Sequence, residues 1–185
     1  PWLCEHVTIR NVQVRNPWYA QNGDGLDVES SRYVLIENCG FDVGDDAICM
    51  KSGKDEEGRR LGKPTEKVWV RNCTVYHGHG GFVVGSEMSG GVRDVTVEDC
   101  TFIGTDVGIR FKSTRGRGGV VERIDIKNIH MLRIAKEAIL FDLYYMLSRE
   151  QRLQKDVPVT EETPLFTSIS IQNVVCRGAS TAVRV

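Results

Sequence analysis

The sequence predicts an all-β fold, a right-handed single-stranded parallel β-helix of about six coils, and three observations carry that expectation. An eight-residue pattern recurs six times, starting at Val7, Val34, Val68, Val95, Ile124 and Ile169. Its first and third positions stack into nearly pure apolar columns, the third being Ile9, Ile36, Val70, Val97, Ile126 and Ile171, with mostly polar residues between them. That period of two is the signature of a half-buried strand and does not suit a helical solenoid. The fifth position reads Asn11, Asn38, Asn72, Asp99, Asn128 and Asn173, types that tolerate the left-handed backbone region and bond locally at a bend. Each strand is therefore expected to turn at the same place in every coil.

The elements follow in chain order. Residues 7–14 make the first strand of the first coil, and each later repeat stacks on it at about 4.8 Å. Between the repeats runs a second strand: Gly25-Leu26-Asp27-Val28-Glu29, then Ala47-Ile48-Cys49-Met50-Lys51, Gly81-Phe82-Val83-Val84-Gly85, Gly108-Ile109-Arg110-Phe111-Lys112 and Ala138-Ile139-Leu140-Phe141-Asp142. Its inward columns are Leu26, Ile48, Phe82, Ile109, Ile139 and Val28, Met50, Val84, Phe111, Phe141. The charged run from residue 54 to 67 reads as an exposed loop. Cys39, Cys73 and Cys100 fall in the sixth column beside Val12, Ile129 and Val174, so they are expected to be stacked core residues rather than disulfides or zinc ligands. Residues 1–185 form one β-helix domain, expected to be incomplete at both ends because the chain starts and stops on strands without recognisable caps.

Composition narrows the function. With 41% apolar residues the chain is not disordered, and 24 basic against 25 acidic residues leave a formal charge of -1, which argues for no nucleic-acid partner. There is no membrane span by length of apolar run, and the first residues lack the basic and apolar regions of a signal peptide. The oligomeric state is open.

The polar chemistry gathers on the second strand. Stacking places Asp24 on Asp46 and His79 level with Asp45, and brings Lys51, Arg110 and Lys112 to the same outer face. Three carboxylates this close cannot all ionise freely, and a raised carboxyl beside ionised ones is the pattern of a general acid with a general base. The small residues Cys49, Val83 and Gly85 are expected to keep the surface low for a ligand. Arg110 and Lys112 leave the same face, two cations suited to a substrate carboxylate. Taken singly, each of these groups has an ordinary reading: Asp-Asp as a turn former, His79 as a surface residue, Glu29 over Lys51 as a solvated pair worth little. Their convergence on one face is what argues for a site.

These residues resemble glycoside hydrolase family 28, the polygalacturonases. The family pattern of Asn-Thr-Asp, Asp-Asp, Gly-His-Gly and Arg-Ile-Lys reads here as Asn22-Gly23-Asp24, Gly44-Asp45-Asp46, Gly78-His79-Gly80 and Arg110-Phe111-Lys112. Residues 52–66, 85–91 and 115–119 are similar to the bacterial exo-acting branch. The resemblance implies hydrolysis of α-1,4-galacturonosyl linkages of pectin, exo-acting and with inversion. It implies Asp45 as the acid, Asp24 and Asp46 as the groups that activate water, and His79 as the group that orients the acid. It implies Arg110 and Lys112 on the substrate carboxylate and Tyr145 beside them, with Tyr144 an equal candidate for the tyrosine; Asn22 and Lys51, on the same face, are further substrate-binding candidates. Gly23 for Thr is the departure that bears on the site, since it stands to loosen the strand end under Asp24. No cofactor and no metal are implied, the partner is a pectic polysaccharide or oligogalacturonide, and the full-length protein is expected to be periplasmic or secreted. Adjacent-rung carboxylates fall short of the roughly 6.5–9.5 Å usual for inversion; two bases flanking one water reconcile the two. The competing readings are a β-helical pectate lyase using Ca²⁺ and a non-catalytic carbohydrate-binding β-helix.

Overall fold

A computed structural model describes residues 1–153 and 157–185. In chain order the strands are β1 (Glu5–Arg10), β2 (Gln13–Arg15), β3 (Leu26–Glu29), β4 (Arg32–Glu37), β5 (Gly40–Asp42) and β6 (Asp46–Lys51), followed by helix α1 (Asp55–Leu61). Then come β7 (Thr65–Arg71), β8 (Thr74–His77), β9 (Gly80–Val84), β10 (Val92–Ile103), β11 (Val107–Lys112), β12 (Val120–Leu132) and β13 (Glu137–Asp142). The chain ends with helix α2 (Arg149–Arg152) and strands β14 (Leu165–Phe166), β15 (Ile169–Arg177) and β16 (Thr181–Arg184).

The strands pair in parallel throughout and form a right-handed parallel β-helix. One sheet runs β1, β4, β7, β10, β12, β15 and carries the eight-residue repeat, with Val7 on Val34, Val34 on Val68, Val68 on Val95, Val95 on Ile124 and Ile124 on Ile169. The other, six-stranded, runs β3, β6, β9, β11, β13, β16. The bend is where the pattern put it: Asn11, Asn38, Asn72, Asp99, Asn128 and Asn173 all have φ between 52° and 59°. In the first three coils the bend divides the strand into β1 and β2, β4 and β5, β7 and β8; in the next three one strand runs through it.

The core lies between the sheets. Val34, Ile36, Val68, Val70 and Val97 from one sheet meet Val28, Ile48, Met50, Phe82 and Phe111 from the other, all fully buried. The Phe111 and Phe141 rings stack on successive rungs with centroids 4.7 Å apart. Cys39, Cys73 and Cys100 are buried free thiols within this core. Residues 54–67 differ from expectation: instead of a bare loop they contain α1, with acidic residues in its first turn and basic ones in its last, the favourable order for the helix dipole. Gly62 closes the helix at φ 57° and donates to the Gly58 carbonyl. Arg59 then fastens the helix by donating to the Gly116 and Arg117 carbonyls, and Arg117 pairs with Asp55. No helix among the described residues is long and apolar enough to cross a membrane.

Candidate active site

Register brings the candidate residues to the outer face of the second sheet, with Asp24, Asp45, Asp46 and His79 at or just before the start of its strands and Lys51, Arg110 and Lys112 further along them. Asp46 begins β6 and pairs with Gly80 of β9; one residue earlier, the His79 amide donates to the Asp45 carbonyl at 2.8 Å. Glycine is needed beside the histidine because a Cβ on Gly78 would fall 2.8 Å from that carbonyl. The strand end under Asp24, expected to be loose, is fastened. Asn16 donates through Nδ2 to the Gly23 and Asp24 carbonyls at 3.1 and 2.9 Å, and the Gly44 and Asp45 amides both donate to Gly23. Nothing in the sequence pattern pointed to Asn16, which lies outside the strands and acts through its side chain.

One oxygen from each of Asp24, Asp45 and Asp46 lies within 4.8 Å of the other two. Asp45 Oδ1 accepts from the Asp46 amide at 2.9 Å and lies 3.1 Å from His79 Nδ1. Asp46 is 1% exposed; Lys112 Nζ lies 2.6 Å from its Oδ2 and an Arg110 guanidinium nitrogen 3.6 Å from its Oδ1. Burial pushes the Asp46 carboxyl up from its ordinary range, opposed by Lys112 and then Arg110. Lys112 is deprotonated less readily than a free lysine: burial works against its charge, but Asp46 outweighs it. The carboxylate cluster could in principle draw a cation, yet the protein's own cations already sit on Asp24 and Asp46, and we assign no metal to it.

The face is more filled than a low floor. Cys49 and Val83 are fully buried, so the outward column forms a second packed layer roofed by the ion pairs. Lys51 does not pair with Glu29, its neighbour in register. Its Nζ bridges Asp24 Oδ2 at 3.1 Å and Asp27 Oδ2 at 2.8 Å, while Glu29 accepts from the Gly53 amide. Asp27 was visible in the outward column, but its part in the cluster depends on the direction Lys51 takes. Burial, with a smaller contribution from Asp24, pushes the Asp27 carboxyl up to about 6 against the pull of Lys51.

A cleft of about 420 Å³ runs over these groups, lined among others by Asn22, Asp45, Ser86, Glu87, Lys112 and Tyr145. The two tyrosines separate. Tyr145 lies over Lys112 Nζ and the Arg110 guanidinium at 4.9 and 5.4 Å from its ring centre, whereas the Tyr144 amide turns back to Asp142. All nine sequence candidates, Asn22, Asp24, Asp45, Asp46, Lys51, His79, Arg110, Lys112 and Tyr145, thus line the cleft or touch a group that does.

The geometry has relatives. The exo-poly-alpha-D-galacturonosidase of Dickeya chrysanthemi is 33% identical over 78% of this chain, which spans 24% of that protein. The endo-polygalacturonase of Pectobacterium carotovorum is 32% identical over 74% of the chain, which spans 32% of it. Among solved structures, a hyperthermoactive exopolygalacturonase from Thermotoga maritima superposes with TM-score 0.76 at 41% identity, covering 78% of this chain and 33% of that one. The family 28 exopolygalacturonase of Yersinia enterocolitica superposes with TM-score 0.73 at 30% identity, covering 84% and 26%. The chain spans about a quarter to a third of the relatives it matches. The model of the glycosyl hydrolases family 28 matches residues 3–183, nearly the whole chain, and with the four motifs gathered on one face this chain belongs to that family.

Proposed function

We propose that the protein hydrolyses α-1,4-galacturonosyl linkages of polygalacturonate, releasing units from a chain end with inversion at the anomeric carbon. The observation that carries this reading is the convergence of three carboxylates, one oxygen of each within 4.8 Å of the other two, each with different partners. Asp45 holds an imidazole, Asp24 an ammonium shared with Asp27, and Asp46 an ammonium and a guanidinium. Carboxylates this close disfavour one another's ionisation, which favours a proton held among them. Asp45, the member bonded to His79 and open to the cleft, delivers it to the glycosidic oxygen. Asp24 and Asp46 flank the position of the attacking water and take its proton. Lys112 and the Tyr145 ring line the cleft, with Arg110 against Asp46 and the same ring, and there the uronate carboxylate of the leaving residue meets cationic charge.

Action at a chain end is supported by the exo-acting relatives. Ser86 and Glu87 line the cleft, and Arg117, paired with both Glu87 and Asp55, ties that turn to α1. A polymeric substrate places the whole protein outside the cytoplasm. The carboxylate spacing favours a second stereochemical course, since contact distances belong to retaining hydrolases, where the two groups stand about 5–5.5 Å apart. The product anomer decides: nuclear magnetic resonance of the first product formed shows β-galacturonate for inversion and α for retention.

The test of the reaction is turnover on polygalacturonate. Asp45→Asn keeps the shape but holds no transferable proton, so its rate falls by about 10²- to 10⁴-fold while the circular dichroism is unchanged. Chelation leaves the wild-type rate in place, because the protein's own cations balance the cluster. An unsaturated uronate product whose formation a chelator stops would establish a lyase instead, and saturable binding without turnover would establish a binding module.

A further inference from the structure

Lys51 and Asp27 are not accounted for by acid, base and substrate contacts. A single ammonium is shared by two carboxylates: Lys51 Nζ lies 3.1 Å from Asp24 Oδ2 and 2.8 Å from Asp27 Oδ2, with the Lys51 side chain only 20% exposed. Asp27 gives Oδ2 to that bond, and its Oδ1 is buried with no hydrogen-bond partner among the described residues. A buried carboxylate oxygen left unpaired is costly, and protonation relieves it.

We propose that Asp27 and Lys51 are a positioning pair that sets the basicity of Asp24: ionised Asp27 shares the ammonium and keeps Asp24 basic, and protonated Asp27 leaves the ammonium to Asp24 and weakens it. The proposal rests on the reading of Asp24 as a water-activating group. It gives Lys51 a role other than the substrate contact expected from its place on the outer face.

The surroundings are consistent with this. From β6, Lys51 and Cys49 face Asp27, and Asp45 and Asp46 stand at the entrance of the same strand. The Cys49 thiol is fully buried and held well above its ordinary range by burial and then by Asp46, so it adds no charge. Asp24 comes from the bend before β3, and Glu29 on the same strand is engaged with Gly53. Trp2 bridges Glu29 from the N-terminal side and brings no charge, while Glu87 and Lys112 lie elsewhere on the cleft lining. Lys51 is therefore the cation through which Asp27 and Asp24 communicate, bonded to both carboxylates at 2.8 and 3.1 Å.

The consequence is a pH profile that the two residues move in opposite directions. Removing the Asp27 charge makes Asp24 a weaker base, and removing the Lys51 cation makes it a stronger one. Carbon-13 carboxyl titration of Asp24 in the 185-residue chain reads this directly. Asp27→Asn should shift the midpoint down and Lys51→Met up, with Lys51→Arg holding it near the wild-type value. In turnover, Asp27→Asn should lower kcat on the order of tenfold with KM unchanged, less than the loss of a whole general base. Its acid limb should flatten, and that of Lys51→Met should move to higher pH. A merely structural role lowers thermal stability and kcat and leaves the midpoint alone. Midpoints that stay in place, or move the same way in both charge-removing variants, overturn the proposal. If the wild type shows no turnover, the hydrolase reading fails, and the carboxyl titration still decides whether the pair tunes Asp24.

Discussion

Asp46 is a carboxylate almost sealed from water, and what makes it tolerable is Lys112 at 2.6 Å, with Arg110 at 3.6 Å. Reading strand alternation alone, both cations appear free to meet a substrate; in the structure Lys112 is itself buried and turned onto Asp46. The two cations should therefore separate on mutation. Removing one member of a buried pair leaves the other charge uncompensated and costs about 3–5 kcal/mol. Lys112→Ala is expected to lose that much unfolding free energy in urea at neutral pH. Arg110→Ala, whose partner is more distant, should lose clearly less while still weakening galacturonan hydrolysis. The double variant Lys112→Ala with Asp46→Asn should recover part of the stability and none of the activity. If Lys112→Ala costs no more than an exposed lysine, the pair does not form in solution and Lys112 is a substrate group only.

At the scale of the strand, the bend shows how far the sequence was legible. The column from Asn11 to Asn173 is chemically uniform because its side chains bond to one another: Asn72 Nδ2 donates to Asn38 Oδ1 at 2.6 Å, Asn128 to Asp99 at 2.9 Å and Asn173 to Asn128 at 3.2 Å. A second left-handed column stands one residue before each repeat, at His6, Tyr33, Lys67, Asp94, Arg123 and Ser168 with φ from 51° to 56°, and it was invisible. Its residues share no chemistry; stacking of His6 on Tyr33, with Lys67 over the Tyr33 ring, holds them across rungs. The site divides the same way. Register identified the rung of every candidate, but it does not give a rotamer, so the turn of Lys51 toward Asp24 and Asp27 could not be read. Nor could the full burial of Cys49 and Val83, which strand alternation alone puts on the outer face. The visible column makes a prediction. Alanine strains in the left-handed region by roughly 1–2 kcal/mol and glycine does not. Asn72→Ala should lower the unfolding free energy by about that amount and Asn72→Gly by less, measured by urea denaturation. Equal losses would mean that the amide ladder, not the backbone, is what the column provides.

Over the whole molecule the coils behave as a one-dimensional stack in which each rung is supported by its neighbours. The column Leu26, Ile48, Phe82, Ile109, Ile139, Val183 runs through every coil of the second sheet, and its members are not equivalent. Phe82 is fully buried between Ile48 and Ile109, whereas Val183 on the last strand is 54% exposed. Truncating Phe82 opens a cavity felt on both sides, a change that costs about 3–5 kcal/mol for buried phenylalanines. Truncating Val183 removes a half-solvated contact on one side, and about 0.5 kcal/mol is expected for such a position. Phe82 also lies on the strand whose first residue, Gly80, pairs with Asp46, so loosening that rung displaces the carboxylate cluster. Phe82→Ala should therefore lower both the urea midpoint and the rate on polygalacturonate, and Val183→Ala should change neither appreciably. If the two variants lost similar stability, the coils would not be mutually supporting, and the rigidity with which the stack holds three carboxylates in contact would have to come from the local ion pairs alone.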